Sequence, residues 1–208
     1  MNLVLLLIAC YLLGSVPTSI IAGRLARGID IRQHGSRNPG ATNTFRVLGP
    51  RIGIAVGIVD IGKGFAAVWF FSRWIPAPTG FAPDLWAIIA GIAAVAGHTF
   101  TVFASFKGGK GVGTAFGIFL ALEPLPSAVA LVVWVYLVWR TGYVSVGSIA
   151  AAVILPALVI ARTVTGTGSP AVAALVSAIG LLVIWRHRSN MVRLRAGTEN
   201  RFNTRRFR

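Results

Sequence analysis

Apolar residues in this chain come in long, nearly unbroken runs, and the polar residues gather in short stretches between them. A helix crossing the hydrocarbon core needs about 20 apolar residues, with shorter or tilted exceptions. Seven runs meet or approach that length: residues 2–22, 52–74, 84–103, 112–122, 125–139, 144–161 and 170–185. Only "LEPLP", residues 122–126, divides the fourth run from the fifth. Two prolines beside a glutamate end a helix more readily than they sit inside one, so two helices are predicted there. Pro17 lies inside the first run and predicts a kink, whose freed backbone groups need partners from neighbouring helices or hydroxyls.

The longest segments outside the runs, 24–51 and 186–208, are too short to hold a core of their own. The expectation is therefore an all-α integral membrane protein with seven transmembrane helices, some of them short. Residues 1–208 form one multi-pass domain, and loops 24–51, 104–114, 140–148 and 186–199 carry its polar chemistry. Met1 and Asn2 supply no basic region ahead of the first run, which argues for a retained helix rather than a cleaved leader.

Composition agrees. Of 208 residues 55% are hydrophobic and 12% charged, against roughly 25% charged in soluble domains, and the mean hydropathy is +0.76. Five acidic residues face 20 basic ones, a net charge of +15. That balance by itself suggests nucleic acid or an anionic surface as partner.

The distribution of charge decides between them. If the helices alternate direction, 17 of the 20 basic residues fall on one face, in segments 23–51 and 104–111, at Arg140, and in the tail from Arg186. The other face receives Arg73 and Arg162, and Lys63 lies within the second run. A single long helix over 112–139 would scatter the basic loops. Basic short loops stay cytoplasmic, so the N-terminus is expected outside and the C-terminus inside. Arg195, Arg201, Arg205, Arg206 and Arg208 read as topology signals and contacts to anionic headgroups. No nucleic-acid recognition motif accompanies them. Cys10 is the single cysteine, so no intrachain disulfide forms.

The four basic-face loops hold the candidate chemistry, and short loops on one face can converge on one site. "HGSRNPGATNTFR", residues 34–46, offers hydroxyls and amides on a backbone free to turn. "FKGGKGVGT", residues 106–114, contains two of the three lysines among four glycines and runs straight into a helix. Successive glycine amides can form an anion nest, and the helix N-terminus adds its own amides and positive dipole end. The Walker spacing is absent, and a glycine turn with a lysine is a weak signal alone. "RTGYVSVGS" brings Ser145 and Ser148, and "WRHRSNMVRLRAGTE" brings His187, Asn190 and Glu199. Asp60 and Lys63, at i and i+3, read as a structural ion pair that can also hold the second helix beneath the loops. His98 is either an interface hydrogen-bonder or a functional group.

Taken in order and spacing, "GSVPTS", "GSRNPGATNTFRVLG", "DIGKG", "GHTFTVFASFKGGKGVGT", "YVSVGSI" and "HRSNMVRLRAGTE" resemble the bacterial membrane acyl-phosphate-dependent glycerol-3-phosphate acyltransferase family. The resemblance runs from the first helix to Glu199. It implies transfer of a fatty acyl group from acyl phosphate to sn-glycerol 3-phosphate, giving 1-acylglycerol 3-phosphate (lysophosphatidic acid) and phosphate, the first acylation of phospholipid synthesis. It implies a multi-pass protein of the bacterial cell membrane with its site facing the cytoplasm, membrane lipids around it, and neither cofactor, metal nor nucleic acid. Oligomeric state stays open.

Carried over by residue, the resemblance implies catalytic roles for Ser36, Arg46, Lys107 and His187. It implies substrate binding by Asn38, Gly40, Thr42, Asn43, Gly108, Gly109, Lys110, Gly111, Ser145 and Asn190. Asp60, Lys63, His98, Ser148 and Glu199 remain structural or unassigned. Arg37 stands where the family pattern leads one to expect glycine, and Gly113 where alanine is familiar. The glycine amides are expected to cradle acyl phosphate, with Lys107, Arg46, Ser36 and Ser145 on glycerol phosphate.

The positions five after the three histidines hold Pro39, Phe103 and Val192, so the His-x4-Asp base of other glycerolipid acyltransferases is absent. Direct attack by the glycerol hydroxyl is the expected chemistry, the proton going to the departing phosphate or to His187. A serine nucleophile is the alternative, with only Asp30 and Glu199 in the loops as orienting acids. A transporter of a phosphorylated anion is the rival of another class, although internal repeats expected of one amount only to two "GKG" triplets.

Overall fold

The computed structural model describes residues 1–201, and they contain helices and no strand. Arg205, Arg206 and Arg208 of the expected headgroup-binding tail lie outside the described residues. The chain divides into two compact units, residues 1–122 and the part from Glu123 onward.

In the first unit the opening run is two helices, α1 (Asn2–Ser15) and α2 (Thr18–Arg27), with a full interruption at Val16 and Pro17 where a kink was expected. Gly28, in the left-handed region at φ 65°, stops α2 by donating its N–H to the Arg24 carbonyl. A short 3₁₀ turn follows, and then α3 (Ala41–Leu48). That helix corrects the reading of 24–51 as loop throughout: Thr44 and Leu48, one turn apart, both point inward. α4 (Pro50–Ala66) starts with proline at its first turn, where no N–H is needed. It continues through a wide π turn, Ala67–Phe71, into α5 (Ser72–Trp74). α6 (Pro83–Thr99) and the short α7 (Val112–Leu122) complete the unit.

Small residues let these helices approach closely, as packing between apolar helices in lipid requires. α1 lies against α6 and α4 against α7. A methyl at Gly64 would collide with the Thr114 carbonyl of α7, and one at Gly117 with the Ile61 carbonyl of α4. Leu6, Cys10, Trp86, Ala90 and Ala94 form one buried cluster. Ile20, Ile31, Leu48 and Ala104 form another, which ties the loop-bearing ends of the unit together.

The second unit contains α8 (Pro124–Thr141), α9 (Val144–Val164), α10 (Pro170–Arg186) and α11 (Arg188–Arg195), with α9 packed against both α8 and α10. The division at Glu123 agrees with the split expected from its flanking prolines: α7 ends at Leu122 and α8 begins at Pro124. α11 was not foreseen in the tail. It leaves α10 at 49° at His187.

Among the described residues, five helical stretches are long and apolar enough to cross a membrane: Asn2–Arg27, Pro50–Trp74, Pro83–Ala104, Pro124–Thr141 and Val144–Val164. The bent pair Pro170–Arg186 and Arg188–Arg195 passes the same criterion together. α7, at 11 residues, rises only about 17 Å. Ile58, Val132 and Leu181 are about two-thirds exposed at 65%, 68% and 69%. Apolar side chains displayed along helices in this way suit a lipid surround.

Candidate active site

The sequence-derived site residues fall into two groups, one in each unit. In the first, the loop before α3 is built on Asn43, which is 1% exposed. Its carboxamide oxygen accepts the Ser36 N–H at 2.8 Å, and its nitrogen donates to the carbonyls of Ile31 at 3.2 Å and His34 at 2.9 Å. All three bonds shape the loop, so Asn43 holds the Ser36 backbone in place. Gly40, extended at φ −150°, leads into α3, and Asn38 accepts its N–H. Thr42 and Arg46 are half-buried on α3, and Ser36 is exposed at the loop surface. Arg37 has φ 60°, in the left-handed region that favours glycine.

Asp30 and Arg32 fasten this loop to the next. Their carboxylate and guanidinium lie 2.7 Å apart, and Arg32 Nη1 donates to the Ala104 carbonyl at 3.2 Å. The hydrogen bond from Arg32 holds the Asp30 carboxyl down at about 2.

The glycine-rich segment differs from a simple anion nest. Gly108 donates its N–H to the Thr99 carbonyl and Gly109 to the His98 carbonyl, both at 3.1 Å. These two amides are engaged within the protein, where a phosphate cradle was expected. The bare backbone is needed for approach: a methyl on Gly108 would strike the His98 carbonyl, and one on Gly109 the His98 ring. Lys107 is exposed. Lys110 and Gly111, the latter at φ 79°, lead into α7. The first amides of that helix have no acceptor within the helix itself.

Behind this segment lies a buried polar cluster. Lys63 Nζ and Asp60 Oδ1 are 2.8 Å apart, each side chain only 4% exposed, and the Thr18 hydroxyl donates to the same oxygen at 2.6 Å. Lys63 also donates to the carbonyls of Val16 at 2.9 Å and Gly14 at 3.3 Å. His98 Nδ1 is 3.5 Å from the ammonium and 3.7 Å from the carboxylate. The Thr101 hydroxyl donates to the Ser15 carbonyl. A small cleft opens here, walled on one side by residues 15–20 and on the other by Pro39, His98, Thr101, Gly108 and Gly109.

In the second unit Glu199 is the hub. Its Oε1 accepts the Asn190 amide at 2.6 Å and the Ser145 hydroxyl at 3.1 Å, and its Oε2 accepts Arg193 Nε at 2.7 Å. Burial pushes its carboxyl up, but the bonds from Asn190, Arg193 and Ser145 and the Arg193 charge outweigh this and hold it below its ordinary value. His187 Nδ1 lies 2.7 Å from the Val183 carbonyl. A carbonyl only accepts, so Nδ1 carries the hydrogen and Nε2 is the basic nitrogen of the neutral ring. Ser148 accepts the Trp134 indole N–H at 3.3 Å, a packing contact between α8 and α9.

Thr18, Thr101 and Arg193 were not singled out from sequence. "GSVPTS" held the signal for Thr18, but nothing local shows that its hydroxyl reaches an acid 42 residues away.

The family model for glycerol-3-phosphate acyltransferase matches residues 4–197. The glycerol-3-phosphate acyltransferase of Chlorobaculum parvum is 44% identical over 214 aligned positions, covering 92% of each chain. That of Geobacter sulfurreducens is 43% identical over 202, covering 97% of this chain and 98% of its own. Among solved structures, the integral membrane glycerol 3-phosphate acyltransferase PlsY (YgiH) in its glycerol 3-phosphate form superposes with a TM-score of 0.82 at 35% identity. It covers all of this chain and 98% of its own. The lysophosphatidic acid form gives 0.81 at the same identity.

Proposed function

As the chain belongs to the glycerol-3-phosphate acyltransferase family, we propose that it takes its acyl group from an acyl phosphate and passes it to glycerol 3-phosphate. The protein is an acyltransferase of phospholipid synthesis, and it acylates glycerol 3-phosphate. The products are 1-acylglycerol 3-phosphate and inorganic phosphate. The concentration of basic residues in segments 23–51, 104–111 and the tail supports seven crossings, the N-terminus outside, and site loops at the cytoplasmic face of a bacterial cell membrane.

Both substrates carry phosphate, so the site holds two anions and expels one. The N-terminal amides of α7, beside Lys110 and Gly111, hold the acyl phosphate. Lys107, Arg46 and Ser36 hold glycerol 3-phosphate. Asn38, Gly40 and Thr42 shape the pocket around them. Charge-assisted hydrogen bonds of this kind contribute about 1.5 to 3 kcal/mol each.

The partners of the two loop carboxylates bear on the mechanism. Asp30 is paired with Arg32 and Glu199 accepts three donors, so each is a weaker base than an ordinary carboxylate. A serine relay needs a histidine oriented by a carboxylate, whereas His187 Nδ1 faces the Val183 carbonyl and Ser145 donates to Glu199, which favours direct transfer. The glycerol hydroxyl attacks the acyl carbon directly while the carbon–oxygen bond to phosphate breaks. Its proton passes to the departing phosphate, and the lysines and helix amides stabilise the developing oxyanion.

The test is phosphate release by detergent-purified protein given palmitoyl phosphate with and without glycerol 3-phosphate, together with detection of the acylated product. Release that requires both substrates and matches the product mole for mole supports direct transfer. An acyl group trapped on Ser36 or Ser145 would overturn it.

A further inference from the structure

The break in the first span sits between two facing helix ends, and one ion pair meets both. Pro17 supplies no N–H, and the interruption deprives the last carbonyls of α1 of their helical donors. Lys63 donates to the Gly14 carbonyl, and to that of the capping residue Val16 beside the Thr18 N–H, at the negative end of the α1 dipole. Asp60 accepts from Thr18, the first residue of α2, at the positive end of that dipole. The two charged residues are one turn apart on α4, so a single helix carries both halves of the contact.

The same pair reaches the opposite wall of the cleft. His98 Nδ1 lies within 3.7 Å of both charges, and the His98 carbonyl receives the Gly109 N–H. Residues 15–20 on one side and the 98–109 segment on the other thus refer to one buried point. Buried ion pairs add little net stability over apolar packing of the same volume. What this pair supplies is orientation.

We propose that Asp60 and Lys63 are positioning residues, which fix the broken first span against the glycine-rich segment and so set the width of the cleft and the aim of the α7 N-terminus behind Lys110 and Gly111. The inference rests on the reading that this segment holds the acyl phosphate, and its consequence is a KM effect confined to that substrate. It needs no contact between either side chain and substrate.

Thr18→Val is the first variant, since it keeps the ion pair and the side-chain volume and removes one hydrogen bond. The second is Asp60→Asn combined with Lys63→Met, which avoids leaving one charge buried alone. Two readouts are taken on protein that remains monodisperse in detergent: steady-state kinetics with each substrate varied, and amide hydrogen exchange. The KM for palmitoyl phosphate should rise about fivefold in Thr18→Val, and more in the double variant, with the KM for glycerol 3-phosphate unchanged. Exchange should quicken together in residues 18–22 and 98–109. A lowered melting temperature with both KM values and both exchange segments unchanged would show a purely structural pair and overturn the inference. Coupled exchange with the KM for glycerol 3-phosphate raised instead would keep the positioning role and overturn the allocation of the two phosphates. If the wild type released no phosphate at all, the functional reading would fail, and the exchange result alone would decide whether the pair positions both walls.

Discussion

Asn190 donates its side-chain amide to Glu199 Oε1 at 2.6 Å, across nine residues of chain, and so folds the segment after α11 back onto the helix. Glu199→Ala would leave Asn190, Arg193 and Ser145 without their common acceptor. Loss of charge-assisted bonds of this type amounts to about 2 to 3 kcal/mol. The variant should melt several degrees lower in detergent, and Glu199→Gln, which keeps one acceptor oxygen, should fall between it and the wild type.

Acid should undo the same contact in a defined window. The folded protein holds the Glu199 carboxyl below its ordinary 4.5, so the unfolded chain binds that proton more tightly. The stabilisation is complete above the ordinary value and is lost as pH falls through the lower, folded value. Amide exchange in residues 187–199 should be protected equally from neutral pH down to about pH 5, once corrected for intrinsic rates, and lose protection below that. Glu199→Gln should abolish the acid step.

Arg37 occupies a left-handed backbone position at φ 60°. A side chain there costs about 1 to 2 kcal/mol, partly offset in glycine by the greater freedom of the unfolded chain. Arg37→Gly should raise stability by about 0.5 to 1 kcal/mol, measured as a higher melting temperature.

Lys107 is exposed, so Lys107→Ala should leave the fold intact. Removing one charge-assisted phosphate contact should lower kcat/KM by about 10- to 100-fold. Near-normal turnover would remove the lysine from its assigned part.

Gly108→Ala tests packing rather than charge. The added methyl meets the His98 carbonyl, so the segment must shift. Activity should be lost while both lysines remain, and exchange at residues 98–109 should quicken. Retained activity with wild-type exchange would show that close approach at this glycine is dispensable.

The apolar runs were legible because a helix in lipid announces itself by length alone, and the break at Glu123 because prolines flank it. α3 and α11 were not legible. Each has eight residues, too short for a periodic signal to stand out from polar loop sequence. Asp60 and Lys63 were read as a pair because i and i+3 share a helix face. Their partners Thr18, Gly14 and Val16 were hidden, being brought in by tertiary packing. Asn43 shows the limit of reading chemistry from residue type: a carboxamide suited to a phosphate is equally suited to the three backbone groups it bonds here. Gly108 and Gly109 show the same limit, since a glycine needed for close approach to His98 and one that bares an amide look alike in sequence.

The broken first span also fixes an order of events in synthesis. Within an apolar layer each backbone carbonyl needs a donor. That of Gly14 receives one from a side chain 49 residues later, and that of Ser15 from one 86 residues later. The first segment to leave the ribosome therefore cannot reach its final hydrogen-bonding state until Thr101 has emerged. Until then its polar notch must stay hydrated or be screened by the insertion machinery.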